Sequence, residues 1–215
     1  MDRDDCQRTA VVGLGGIGKT QIALEVAYRL SEKHSDCSIF WVAAIDSISL
    51  RNAYRNIGES LGIDGINDEN ADVEELVKKA LSDERAGSWL LIVDNADDPD
   101  LFSGRDSLAC YLPFSRKGSL LFTSRNREVV LQLDVPTSNI LTVEGMSESE
   151  GFRFLEMHLK ESQMSNREDT TKLLDVLSYL PLAIGQASVY MAQIEISTKK
   201  SLSITRKATS IRPSC

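Results

Sequence analysis

The chain has 215 residues, enough for one α/β domain with a small helical addition and for a real buried core. Its 24 basic and 32 acidic residues leave a net charge of −8, which argues against nucleic acid or an anionic membrane surface as the main partner. Unbroken apolar runs such as Trp89 to Val93 are far too short to span a bilayer, and the polar start from Met1 to Cys6 does not read as a signal sequence.

Residues 8–12 read as a short buried strand that runs into Gly13-Leu14-Gly15-Gly16-Ile17-Gly18-Lys19-Thr20. This stretch fits G-x-x-x-x-G-K-[ST], the loop that cradles nucleoside phosphates. Glycines allow positive φ, so successive backbone N–H groups can curl around an anion, and the helix that follows adds its dipole. Lys19 is the expected point charge on the β- and γ-phosphates, and Thr20 the expected hydroxyl ligand for Mg²⁺. The expected contact set is Gly13, Gly15, Gly16, Ile17, Gly18, Lys19, Thr20 and Gln21. The same glycines also fit the dinucleotide fingerprint G-x-G-x-x-G. That reading wants an acid about 20 positions on, whereas Asp46 lies 28 beyond Gly18.

The following helix carries an apolar stripe of Ile22, Ala23, Val26, Ala27 and Leu30. Ser38 to Ala44 is an apolar second strand, as expected when both faces are covered. Leu50, Ala53, Ile57 and Leu61 mark a helix, residues 64–71 a polar loop, and Asp72 with Glu75 caps a further helix. Trp89 to Asp94 is the third strand, 118–123 the fourth and 140–143 the fifth, with short helices near 107–111 and 127–133. This alternation predicts an α/β fold with a five-stranded parallel sheet and helices on both faces, over residues 1–146. Ser147 and Glu150 form a capping box opening a helical subdomain over 147–192, in which Pro181 starts the third helix. From Gln193 to Cys215 five basic residues (Lys199, Lys200, Arg206, Lys207, Arg212) face one acid, Glu195. Without clear periodicity, 193–215 reads as a basic, disordered tail.

Two further groups belong at the edge where ligands of such sheets bind. Asp94, lifted there by Leu90 to Val93, is the second expected anchor for the metal. Taken with the glycine loop, it sets the dinucleotide reading aside. Asp97 or Asp98 could orient or deprotonate an attacking water, or both could cap the turn around Pro99. Arg125, just after the fourth strand, is placed to sense a γ-phosphate. Cys6, Cys37, Cys110 and Cys215 lack metal-site spacing and read as reduced thiols of a cytoplasmic protein, and His34 and His158 as surface residues.

Four blocks in order, Gly13–Thr20, Leu90 to Asp97, Leu120 to Arg125 and Leu180-Pro181-Leu182-Ala183, resemble the NB-ARC class of STAND P-loop NTPases. The phrases Ile39 to Ala43 and Leu141 to Ser147 are similar to its fungal, NLR-like members. The resemblance spans about residues 8–192 and implies an ADP- or ATP-binding signalling switch with Mg²⁺. It also implies that the Arg125 strand separates the two phosphate-site strands, and that Pro181 packs against the adenine or ribose. Other domains or protomers of a signalling assembly are the implied partners.

The chain departs from the family pattern at three points. Asn95 stands where a second acid often follows the metal-binding Asp, so slow or absent hydrolysis is expected, while Asp97 and Asp98 look like the acidic motif of the NACHT class. The upstream hinge and the winged helix with its histidine are not recognisable, so a truncated domain is expected. Two rival readings stay open: a multiple-turnover P-loop ATPase or kinase, and a nucleotide-deficient interaction fragment.

Overall fold

The computed structural model describes residues 6–103 and 107–210, with side chains as far as Thr205. The chain divides into two units. The first runs up to Leu14 and resumes over Lys19–Val143; the second comprises Gly15–Gly18 and the residues from Glu144 onward.

The first unit is built on a five-stranded sheet of β1 (Gln7–Val12), β2 (Ser38–Ala43), β3 (Trp89–Asp94), β4 (Gly118–Ser124) and β5 (Ile140–Thr142). The strand order is β2-β3-β4-β1-β5 and every pairing is parallel. Strand β4 lies between β1 and β3, as the resemblance implied. Alternation along the strands sorts side chains into two layers. Ala10, Val12, Trp89, Leu91, Val93, Leu120 and Phe122 join the larger core. Val11, Leu90, Ile92 and Leu121 join the smaller one. The larger core is closed by α2 (Ser47–Ser60), α3 (Val73–Ser82), α4 (Pro99–Phe102), α5 (Leu108–Tyr111) and α6 (Arg127–Gln132). The opposite face is covered by α1 (Lys19–Lys33) through Ala23, Ala27 and Leu30.

That packing narrows the expected stripe on α1. Ala23, Ala27 and Leu30 meet the sheet, whereas Ile22 and Val26, about a quarter-turn away, are 37% and 41% exposed. A second difference lies between α2 and α3. The polar stretch 64–71 contributes Ile66 to the core, where it covers Gly58 so closely that a Cβ there would overlap the Ile66 side chain. Local caps follow the sequence directly: Asp72 accepts from the Glu75 N–H at 3.1 Å, and Asn126 from the Glu128 N–H at 2.9 Å.

The second unit contains α7 (Glu148–Glu156), α8 (Arg167–Val176), α9 (Pro181–Gln193) and α10 (Thr198–Ser210), with a 3₁₀ turn at Glu161–Met164. Ser147 and Glu150 make the reciprocal capping box that opens α7. The core is Leu155, Leu159, Leu173, Leu174, Ile184, Met191 and Leu202. His158 stacks on Phe154 with ring centroids 5.2 Å apart.

The expected disordered tail is corrected over its described part. Residues 198–210 form α10, with Thr198, Ser201 and Leu202 buried. The physical reason is a polar network that composition hides. The hydroxyls of Thr170 and Thr198 lie 3.0 Å apart, and the Thr198 hydroxyl donates to the Gln163 carbonyl at 3.3 Å. The Gln163 amide then donates to the carbonyls of Met191 and Ile196 at 3.0 and 2.9 Å. Paired in this way, the polar start of α10 can be buried at little cost. Residues 211–215, including Arg212 and Cys215, lie outside the described residues.

Candidate functional site

The loop after β1 starts with the Gly13 N–H donating to the Ser124 carbonyl at 3.2 Å, which ties its root to β4. Gly16 and Gly18 take φ values of +77° and +101°, a region that only glycine enters freely, so the bends at these two positions explain the residue type. Among the described residues, no group accepts a hydrogen bond from the N–H of Gly15, Gly16, Ile17 or Gly18, although Ile17 is buried. The first turn of α1 contains no acidic residue. A run of unbonded amides leading into a helix N-terminus suits an anion.

Lys19 folds back on this loop. Its ammonium donates to the carbonyls of Gly13 and Leu14 at 2.9 and 3.0 Å. Burial holds its pKa below the ordinary lysine value; Arg125 pushes the same way, while Asp97 and Asp94 oppose it. Lys19, Asp94, Asp97 and Arg125 therefore share one electrostatic neighbourhood in the first unit.

The Thr20 hydroxyl donates to both Asp94 carboxylate oxygens, at 3.0 and 3.3 Å. Asp94 is the last residue of β3 and also accepts from the Thr123 hydroxyl at 2.5 Å. Asn95 follows with φ +65°, a bend Asn tolerates better than most residues, and its N–H donates to the Thr123 hydroxyl at 2.9 Å. The Ala96 N–H donates to the Thr123 carbonyl at 2.8 Å, and the buried Ser124 hydroxyl donates to the Ala96 carbonyl at 2.5 Å. The residues after β3 are thus stitched to the end of β4.

The two acids that follow part company. Asp97 accepts from the Arg125 N–H at 2.6 Å and the Ser124 hydroxyl at 3.3 Å, and forms an ion pair with Arg125 Nε at 2.9 Å. Asp98 caps α4, accepting from the Asp100 N–H at 2.9 Å. It takes the capping alternative, as the Pro99 at the first helical position suggests. Thr123 and Ser124 had only a place in a motif; the structure gives them the hydrogen bonds that hold Asp94, Asn95 and Asp97. A polar pair closing an otherwise apolar buried strand was their sequence signal.

The remaining predicted residues lie in the second unit or at the start of α1. Pro181 occupies the first position of α9, and its neighbour Leu182 donates its N–H to the Gly16 carbonyl at 3.2 Å. Gln21 sits in the first turn of α1, exposed.

The donor set fits a phosphate chain with a divalent cation. Mg²⁺ keeps several waters and takes only one or two protein oxygens beside phosphate oxygens, which the Thr20 hydroxyl and Asp94 carboxylate could supply. No group of three or more His, Cys, Asp or Glu side chains able to hold a metal occurs among the described residues. No described helix is long and apolar enough to cross a membrane.

Comparison with known proteins bears on the family and the fold. The model of the NB-ARC domain matches residues 1–165. A nucleotide-binding leucine-rich repeat (NLR)-like protein of Hyaloscypha variabilis is 44% identical over 211 residues, covering 93% of this chain and 21% of that protein. Disease resistance RPP13-like protein 4 of Arabidopsis thaliana is 30% identical over 120 residues, covering 56% of this chain and 14% of that protein. The chain thus spans about a fifth or less of the length of these relatives. Among solved structures, the Aeropyrum pernix ORC2 protein in its ADPNP–ADP complexes aligns with a TM-score of 0.62 at 16% identity, over 93% of this chain and 62% of that one. At that identity the likeness concerns the fold alone. The sequence match and the order of the sheet agree: this chain belongs to the NB-ARC domain family, with the α/β fold of P-loop NTPases.

Proposed function

We propose that this domain binds ADP or ATP with Mg²⁺ and works as a nucleotide-controlled switch in a longer, cytoplasmic signalling protein of the NLR type. The observation that carries the reading is the meeting of Lys19, Thr20, Asp94 and Arg125 at the carboxyl edge of β1, β3 and β4. In this reading the amides of Gly13 to Gly18 and the Lys19 ammonium hold the phosphates, and Gln21 flanks them at the helix start. Thr20 and Asp94 hold the metal, which neutralises phosphate charge when bound. Arg125 senses the terminal phosphate. The resemblance assigns Pro181 to the adenine or ribose side. Other domains or protomers of a signalling assembly are the proposed partners, and the acidic net charge of −8 weighs against nucleic acid and membrane.

Slow or absent hydrolysis is part of the proposal. Asn95 supplies no carboxylate next to Asp94, and Asp97 is bound to Ser124 and Arg125 rather than free to take a proton. The domain would then retain nucleotide rather than turn it over.

Calorimetry and thermal shift with ADP and ATP test this directly. Tight ADP binding, lost in Lys19→Ala, with little phosphate released over many minutes, is the expected result. Fast multiple turnover would favour an ATPase or kinase. Binding of neither nucleotide by the folded protein would favour an interaction fragment and overturn the switch.

A further inference from the structure

We propose that Asp97 is a positioning residue: it fixes the pose of the Arg125 side chain, and through it sets the preference of the site for nucleoside triphosphate over diphosphate. The inference rests on the nucleotide-binding reading above, and it departs from the expectation that Asp97 activates water.

An exposed ion pair alone would contribute little, and the Arg125 side chain is 61% exposed. Asp97 is different because it is fixed before it meets the guanidinium. Its carboxylate is only 23% exposed, and Oδ1 accepts from the Arg125 backbone N–H at 2.6 Å and from the Ser124 hydroxyl at 3.3 Å. Ser124 is itself buried and bound to the Ala96 carbonyl, so the carboxylate stands on a rigid base. That leaves Oδ2 for Arg125 Nε, at 2.9 Å.

The consequence lies in which nitrogens are used. Asp97 accepts from the Arg125 backbone amide and pairs by charge with the guanidinium at Nε, while Nη1 and Nη2 make no hydrogen bond among the described residues. A guanidinium held at Nε presents its two terminal nitrogens as a fork, the geometry that binds phosphate oxygens bidentately. Holding that long side chain in advance removes the rotamer entropy that a terminal phosphate would otherwise have to overcome. A general base needs a lone pair free to point at water. Both Asp97 oxygens already accept from, or pair with, protein donors.

The test is a double-mutant cycle on the whole chain, with Mg²⁺ present, using ADP and a non-hydrolysable ATP analogue as the probes. Asp97→Asn keeps an oxygen for the Arg125 N–H and the Ser124 hydroxyl but loses the ion pair with the guanidinium, so it separates folding from positioning. Asp97→Asn and Arg125→Ala should each weaken the ATP analogue roughly tenfold relative to ADP, and the double variant should lose no more than either alone. Equal loss for both nucleotides, additive losses, or unchanged analogue binding would overturn the positioning role. Asp97→Ala provides a second variant; it must show the same selective loss, and a uniform loss of both ligands or of folding counts against the proposal. Wild-type protein that binds neither nucleotide would instead overturn the underlying reading.

Discussion

The Thr20 hydroxyl and the Asp94 carboxylate are joined by a 3.0 Å hydrogen bond across 74 residues of sequence. Each is at the end of its own element, Thr20 in the first turn of α1 and Asp94 closing β3, and the Thr123 hydroxyl steadies the carboxylate from β4. Removing the Thr20 hydroxyl should therefore touch ligand chemistry and hardly touch the fold. Thr20→Ala is expected to stay within about 0.5 kcal/mol of wild-type stability, because the residue is exposed. It should abolish the Mg²⁺-dependent part of ADP and ATP binding while leaving the affinity measured in EDTA in place. Thr20→Ser should restore the metal effect. Calorimetry with and without Mg²⁺ reads all three, and an undiminished Mg²⁺ effect in Thr20→Ala would remove Thr20 from the metal site.

Gly118 begins β4 directly opposite Trp89 in the sheet register. A Cβ at this position would overlap the indole ring. That ring cannot retreat easily: Trp89 is buried and its Nε1–H donates to the Leu81 carbonyl at 2.9 Å. Gly118→Ala should lower unfolding free energy by about 2 kcal/mol through overpacking, measured by denaturant titration. Gly87→Ala is the useful contrast, since its Cβ would meet open space and only the φ of +74° opposes it. With ψ at −160° the backbone lies in a region essentially reserved for glycine, so the cost should be about 1–3 kcal/mol and wholly conformational. A harmless Gly118→Ala would mean that β3 and β4 do not pack as described.

How much of this could be read from the chain alone depends on how local each cause is. Asp72 with Glu75 and Ser147 with Glu150 announce their helices because cap and capped amide are three residues apart. The strands were legible as continuous apolar runs, and the glycine loop because phosphate chemistry dictates its spacing. Three features were not. Helix α10 depends on Thr170, Thr198 and Gln163 meeting in space, and no window of sequence shows such a network. Ile66 was hidden in a polar stretch because its partner is the empty side of Gly58. Asp97 and Asp98 look alike in sequence, yet one grips Arg125 and the other caps α4, a distinction made only by the path of the chain after β3.

Tyr54 offers a prediction at alkaline pH. It is fully buried on α2, and its hydroxyl donates to the Tyr111 carbonyl at 3.3 Å. Burial first, and then the charge of Glu74, push its phenol well above the ordinary tyrosine range. A raised folded-state pKa means that the unfolded chain ionises sooner. The stabilisation is complete below the unfolded value of about 10 and is lost as pH rises beyond it. Wild-type stability should fall between pH 10 and 11 more steeply than that of Tyr54→Phe, the difference approaching about 1.4 kcal/mol per pH unit. Parallel slopes for the two proteins in denaturant titrations would show that Tyr54 is accessible to hydroxide in the fold.

The last prediction concerns α10, where the expectation from composition and the structure differ most. If residues from Thr198 onward were a disordered tail, deleting them would leave stability unchanged. In the structure the deletion strips Leu202 from the core shared with Leu155, Leu173, Leu174, Ile184 and Met191, and takes the Thr198 hydroxyl from its contacts with Thr170 and Gln163. Losing a buried leucine and a buried hydrogen-bond partner together should cost several kcal/mol. The second unit should then melt earlier and be cut by protease in α8 and α9 before the sheet is attacked. Thr198→Val refines the test, because it keeps shape and removes only the hydroxyl, with an expected loss of about 1–2 kcal/mol. A full-length melting curve from the truncated chain would return α10 to the status of a dispensable tail. A silent Thr198→Val beside a destabilised truncation would place the whole contribution in the apolar contacts of Leu202.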